Sequence, residues 1–277
     1  MANGGRVPIL YFRTQHAPIL TTLAQSFVSK AFWKVAIDAF RDPATDFRVR
    51  HAWATIFKAT VVHHAQTATL TLSCRVGAQG LFAYNDIISH HASLLGIAIA
   101  EGDILGLCIR LVSELLIGRY SLPESTHPDS LLARHEKGLL SQGRALLEKM
   151  QHHRSDEFNR FILPKCDSIV RAIGHRMAYD AAVDAGLDST ITDLYLVTAV
   201  KLDSAWYVEK EKHSCAVQDA TEDEAIVAAL PRLDDWLDQT GVEAYCQVPI
   251  LSQSNWDTFV NGLKEHTSPT SQLLAKL

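Results

Sequence analysis

Apolar side chains recur at three- and four-residue intervals along almost the whole chain, and the strict alternation of a half-buried strand is nowhere sustained. A pattern of that period can bury one stripe of a helix but not one face of a sheet, so the chain is restricted to packing helices on helices. It reads as all-α. The helical stretches are residues 18–41, 46–76 and 101–119, then 129–150, 157–185, 188–212, 222–239 and 254–265. Between the two groups lies GRYSLPESTHPD, residues 118–129, where glycine, two prolines and several hydroxyl side chains interrupt the pattern as a connector does. That break predicts a first helical bundle over 1–118, a linker over 119–129 and a second helical lobe over 130–277.

Length agrees with two lobes or with one large helical body, since 277 residues exceed the roughly 150 of an average domain. Hydrophobic residues make up 47% and charged residues 21%, enough to bury a sizeable core. The net charge of −5, with no cluster of Lys and Arg, excludes a surface built to hold a phosphate backbone, so no nucleic acid is expected. The start, MANGGRVPILYF, has no basic region followed by a long apolar run, and no apolar run reaches the ~18 residues of a membrane span. A soluble, intracellular protein without a membrane partner is expected. Cys74, Cys108, Cys166, Cys215 and Cys246 are odd in number and widely spaced, which predicts reduced and mostly buried thiols rather than disulfides or a zinc knuckle. The chain ends Ala275-Lys276-Leu277, a close variant of the tripeptide that directs proteins to peroxisomes, with the cytoplasm as the alternative location.

In GIAIAEGDILGLCIRLVSELLIG, residues 96–118, an apolar run is interrupted by Glu101, Gly102 and Asp103. Extending the helix backwards at ~100° per residue places Glu101 in the middle of the face formed by Leu105, Cys108, Val112, Leu115 and Leu116. Asp103 falls opposite, with the i, i+4 pair Arg110 and Glu114, on a solvated stripe. A carboxylate near a helix start is ordinarily there to complement the macrodipole. One set among apolar groups is also how a general base is tuned.

Other constellations compete. Asp234, Asp235 and Asp238 have the D-D-x-x-D spacing that holds magnesium and a diphosphate in one class of terpene cyclase, but they project away from the apolar face of Leu230, Leu233 and Leu237. The doublets His63-His64, His90-His91 and His152-His153 point about 100° apart on a helix and lack an accompanying metal-binding motif, so no metal site is assigned. Cys74 has no evident base nearby in sequence and reads as a packed thiol.

In SCRVGAQGLFAYND, residues 73–86, a long helix ends with Gly77 and Gly80 bracketing Gln79, where glycine permits left-handed backbone and close approach. Followed some twenty residues later by Glu-Gly-Asp, this order resembles the carboxyl-terminal helical region of acyl-CoA oxidases and the related acyl-CoA dehydrogenases. The entry segment VPILYFRTQHAPILTTLA is similar to the family's aromatic-x-x-Gln passage into the first bundle helix, with Gln15 as its glutamine. The resemblance runs in order through residues 7–118, and a second helical lobe suits the oxidase branch.

The resemblance implies an FAD enzyme that removes the α-proton of an acyl-CoA thioester while the β-hydride passes to flavin. Glu101 would be the base, and Gln15, Gly77, Gln79 and Gly80 would lie where the helical domain meets FAD in an assembled dimer. It also implies that a helical domain and a β-domain, which precede this region in such enzymes, come from elsewhere, as in a heteromer. The sequence departs from the pattern at Ala78 and Leu81 in the turn and at Ala100 and Ile104 beside Glu-Gly-Asp. A helical assembly module that has lost flavin, or a cyclase-like helical enzyme, are the alternative readings.

Overall fold

Two 29-residue helices begin the fold: α1 (Arg13–Arg41) and α2 (Phe47–Arg75). Their connection is too short for anything but an antiparallel hairpin, and Asp46 caps α2 by accepting from the Arg48 amide at 2.8 Å. Phe32 lies wholly buried between them, 6.2 Å from Trp53 and 5.3 Å from Phe57 between ring centres. The computed structural model describes residues 6–264, and every regular element among them is helical. The Ala275-Lys276-Leu277 end lies outside the described residues.

After the hairpin come α3 (Ile87–Ile99), α4 (Ile104–Leu116), α5 (Leu131–Leu147), α6 (Asp156–Phe161), α7 (Cys166–Asp184) and α8 (Ser189–Lys201). Then follow α9 (Ser204–Lys210), α10 (Cys215–Ala229), α11 (Leu233–Thr240) and α12 (Gln253–Asn261). The sequence stretch 157–185 divides into α6 and α7 around Pro164, and 222–239 divides around Pro231, because a proline nitrogen cannot donate to the helix ladder. Likewise 188–212 divides into α8 and α9 at Leu202 and Asp203.

The predicted division into lobes is not what the packing shows. Helix α7 has buried residues on every side, among them Ile169, Val170, Ile173, Met177, Ala178 and Ala182 together with His175, Arg176 and Asp180, so it is enclosed by other helices. It touches α1, α2 and α4 from before the connector and α5 and α8 from after it. Leu20, Ile56, Val112, Ile173, Leu194 and Trp236 therefore belong to one continuous hydrophobic cluster. The connector crosses over a shared core; it does not separate two.

The halves approach closely at Gly174, where an added Cβ would overlap Thr60 Oγ1 and lie 3.0 Å from Thr60 Cβ and 3.2 Å from Ile56 Cγ2. Gly174→Ala should cost about 1–3 kcal/mol through overpacking, and Thr60→Ala should restore part of that loss in the double variant. Urea unfolding of the four proteins checks it, and a neutral Gly174→Ala would mean that α2 and α7 do not pack this closely.

Buried polar groups sit in the same core. The rings of His64 and His175 stack with centres 5.2 Å apart, and Tyr195 Oη lies 3.4 Å from His64 Nε2. Burial, with the neighbouring Arg171 and His63, holds His64 down to about 3 and His175 well below the ordinary histidine range. Cys108 and Cys166 are buried, and desolvation pushes both thiols up to about 12. Cys74, Cys215 and Cys246 are exposed, so the expectation of mostly buried thiols fails for three of the five.

Helix α3 was not visible as a periodic pattern. IISHHASLLGIAI is apolar nearly all round, yet no residue of it is buried, and Leu95, Ile97 and Ile99 are half or more exposed. It packs along α2, with Gln66 Nε2 donating to the Leu94 carbonyl at 3.2 Å and Thr69 Oγ1 3.0 Å from His91 Nδ1. No single described helix is long and apolar enough to cross a membrane; α3 and α4, bent by 42°, meet that length and composition only as a pair.

Candidate functional site

Asp103 is the N-cap of α4, accepting from the Gly106 amide at 3.1 Å, so the helix starts at Ile104. Glu101 therefore does not stand on its apolar face as the helical projection predicts. It is exposed in the turn between α3 and α4, with φ 59°, next to Gly102 at φ 111°. The buried face of α4 is Cys108, Leu111, Val112, Leu115 and Leu116, while Leu105 is half exposed. Asp103 is the structural carboxylate of the pair.

A left-handed glutamate is uncommon and persists only where surroundings hold it. Here the holder is Lys58. Its Nζ donates to the carbonyls of Ala100 and of Gly102, the latter at 2.8 Å, and so clamps the backbone on both sides of Glu101. Lys58 lies on one stripe of α2 with Ala54, Val61 and Ala65, at i, i+4, i+7 and i+11. Leu94 and Ile97 of α3 face that stripe, and Leu107 of α4 joins them. The result is a groove of about 630 Å³ that is apolar along α2 and α3, with Glu101, Lys58 and His51 as its charged or titratable members. From Lys58 to Ala65 it follows α2 for about 10 Å at 1.5 Å rise per residue.

The glycine turn stands elsewhere. Gly77, at φ 65°, ends α2, and Lys58 and Arg75 are about 25 Å apart along that helix. Gln15, half-buried in the first turns of α1, belongs to the same end, because α1 and α2 are antiparallel and Phe32 already meets Trp53 and Phe57. The structure thus groups Gln15 with Gly77, Gln79 and Gly80 at one end of the hairpin and leaves Glu101 beside its other half.

These turn residues have roles within the chain. A Cβ at Gly80 would overlap the backbone of Ser73, so glycine is needed for the turn to fold back on α2. Gln79 Oε1 accepts from Asn85 Nδ2 at 2.9 Å and from Tyr84 Oη at 3.4 Å. Asn85 Oδ1 accepts from the Ile250 amide at 3.0 Å, and Tyr84 packs on Phe259, tying the turn to α12. Only Gly77 faces open space. The turn's polar groups are thus largely spent on its own fold, and these residues do not by themselves fit a flavin.

The competing constellations also have places. Asp234 and Asp235 are exposed on α11, Asp235 pairs with Arg232 at 3.4 Å, and the buried anchor of that helix is Trp236 rather than the predicted Leu237, which is about half exposed. His63 Nε2 lies 3.1 Å from Arg171 Nη1, and His152 Nδ1 accepts from the Arg154 amide. Among the described residues no three His, Cys, Asp or Glu side chains gather as metal ligands. Lys58 was missed by the sequence reading, since its only signal was a lysine on an otherwise apolar stripe, the ordinary position of a side chain that reaches out to water.

Compared with models of protein families, with curated proteins and with solved structures, the chain finds no match.

Proposed function

We propose that this chain is the helical portion of an enzyme acting on acyl thioesters, in which Glu101 takes the proton from the carbon next to the thioester carbonyl. One observation carries the reading: a carboxylate held in left-handed backbone by Lys58 at the rim of an apolar groove. An extended acyl chain fits along Val61, Val62, Ala65, Leu94 and Ile97, which offer dispersion contacts and nothing that selects a polar group. The thioester end then lies towards Lys58 and Glu101. Glu101 is exposed in this chain, so the water exclusion that a working base needs comes from the bound acyl group and from a surface supplied by another chain or segment.

The acyl-CoA oxidase and dehydrogenase resemblance agrees with this assignment of Glu101 and would add FAD as the electron acceptor. Since the turn residues do not form a flavin cradle, no step is assigned to flavin on this chain, and a heteromer or homodimer that completes the site is part of the proposal. The internal use of Gly80 and Gln79 favours a second reading, a helical module that keeps the groove and has lost the cofactor.

Titration with dodecanoyl-CoA separates both from an unrelated fold. Saturable binding is expected, and Ala65→Trp, which fills the groove, should weaken it by roughly tenfold or more, the loss of 1–2 kcal/mol of apolar contact. Binding that is absent, or indifferent to Ala65→Trp, would overturn the groove's role.

A further inference from the structure

The connector between α4 and α5 is fastened at three places. The Arg48 guanidinium lies 5.7 Å from the centre of the Tyr120 ring, and Arg176 Nη2 donates to the Pro123 carbonyl at 3.1 Å. Thr126 Oγ1 and His127 Nε2 both meet the Asp184 carboxylate, at 2.9 and 2.8 Å. Between these points the segment runs beside α5 and borders a half-open pocket of about 470 Å³, inside the roughly 300–1,000 Å³ range of small-molecule sites. A linker between lobes would have no reason to be pinned this way or to border a pocket.

Leu115, Leu122 and Leu140 give the cavity apolar walls. Its charges are unequal. Arg176, 4% exposed at the side chain, is bound through Nε and Nη2 to both oxygens of Glu136, so that pair cancels; Asp180, 3.5 Å from Arg176 Nη1, is not on the wall. Lys137 and Arg144 also line the cavity, two helical turns apart on one stripe of α5, and neither makes an ion pair among the described residues. Glu124 is the remaining carboxylate on the wall. On the wall itself two free cations stand against one carboxylate, while the further negative charge of Asp180 is set behind Arg176.

We infer that this cavity binds a small amphipathic anion, its apolar body against Leu115, Leu122 and Leu140 and its single oxyanion head, a carboxylate or a phosphate ester, on Lys137 and Arg144. The site is separate from Glu101 and does not depend on the acyl-thioester reading.

Calorimetric titration of the full chain with decanoate, decyl phosphate and decanol tests it. One or both anions should bind saturably, about tenfold or more tightly than the neutral alcohol, as expected for charge-assisted hydrogen bonds. Whichever binds more tightly identifies the head group. Lys137→Gln with Arg144→Gln changes only exposed side chains, so the fold should persist by circular dichroism while anion binding falls by about tenfold or more. Leu122→Asp should weaken it further, and Ala65→Trp should leave it unchanged. Decanol binding as tightly as the anions, no saturable binding of any probe, or anion binding that survives Lys137→Gln with Arg144→Gln would overturn the inference.

Discussion

Taking the protein from pH 7.5 to pH 5 should destabilise the fold, with His64 alone contributing about 2 kcal/mol and His175 acting in the same direction. Both rings are buried beside one another, and burial favours their neutral forms. Their folded-state pKa values lie below the 6.5 of the unfolded chain, to about 3 for His64. Between those limits the unfolded chain binds protons that the native core excludes. Stability from these groups is therefore complete above pH 6.5 and falls as pH drops. Glu136, raised by burial, acts in the opposite sense at lower pH, and His63 and His135, lowered by burial, act in the same one, so a variant is needed to isolate His64. His64→Gln should reduce the loss measured by urea unfolding at the two pH values by about 2 kcal/mol. An unchanged loss would mean that the His64–His175 stack is not the acid-sensitive element.

The long helices were legible because amphipathic periodicity survives wherever one face is buried and the other wet. Residues 18–41 and 46–76 correspond to α1 and α2 almost end to end. Periodicity falls short in two ways here. Residues 87–99 form a short, mostly apolar run without a charged residue to mark a wet face, so α3 is not read from the sequence, although it forms one wall of the groove. The α7 stretch, with apolar and charged residues interspersed, reads as helix, but nothing local announces that both halves of the chain wrap it. The break at 118–129 was real as a loop and misleading as a boundary, because local turn chemistry says nothing of what the turn packs against. Glu101 stands out by its spacing, yet its projection onto α4 is incorrect, since capping by Asp103 starts the helix three residues later, at Ile104. The bond from Lys58 to both sides of Glu101 spans more than forty residues of sequence and leaves no local trace.

Replacing Glu101 by glutamine should lower proton removal from an acyl thioester by at least about 10²-fold, the usual loss when a general base is deleted. Glutamine keeps the size and the exposed position, so neither the fold nor groove binding should change. Asp103→Asn is the matched control, because asparagine caps a helix as well as aspartate does and the residue faces no ligand in this account. The most direct measurement follows the α-proton alone. An arylacetyl-CoA, whose α-proton is acidified by the ring, is incubated in deuterated buffer with the protein, and exchange is followed by NMR without any electron acceptor. Saturable, protein-catalysed exchange is expected, surviving Asp103→Asn and dropping by about 10²-fold or more in Glu101→Gln. Exchange at the same rate in Glu101→Gln and the unaltered protein would contradict Glu101 as the base.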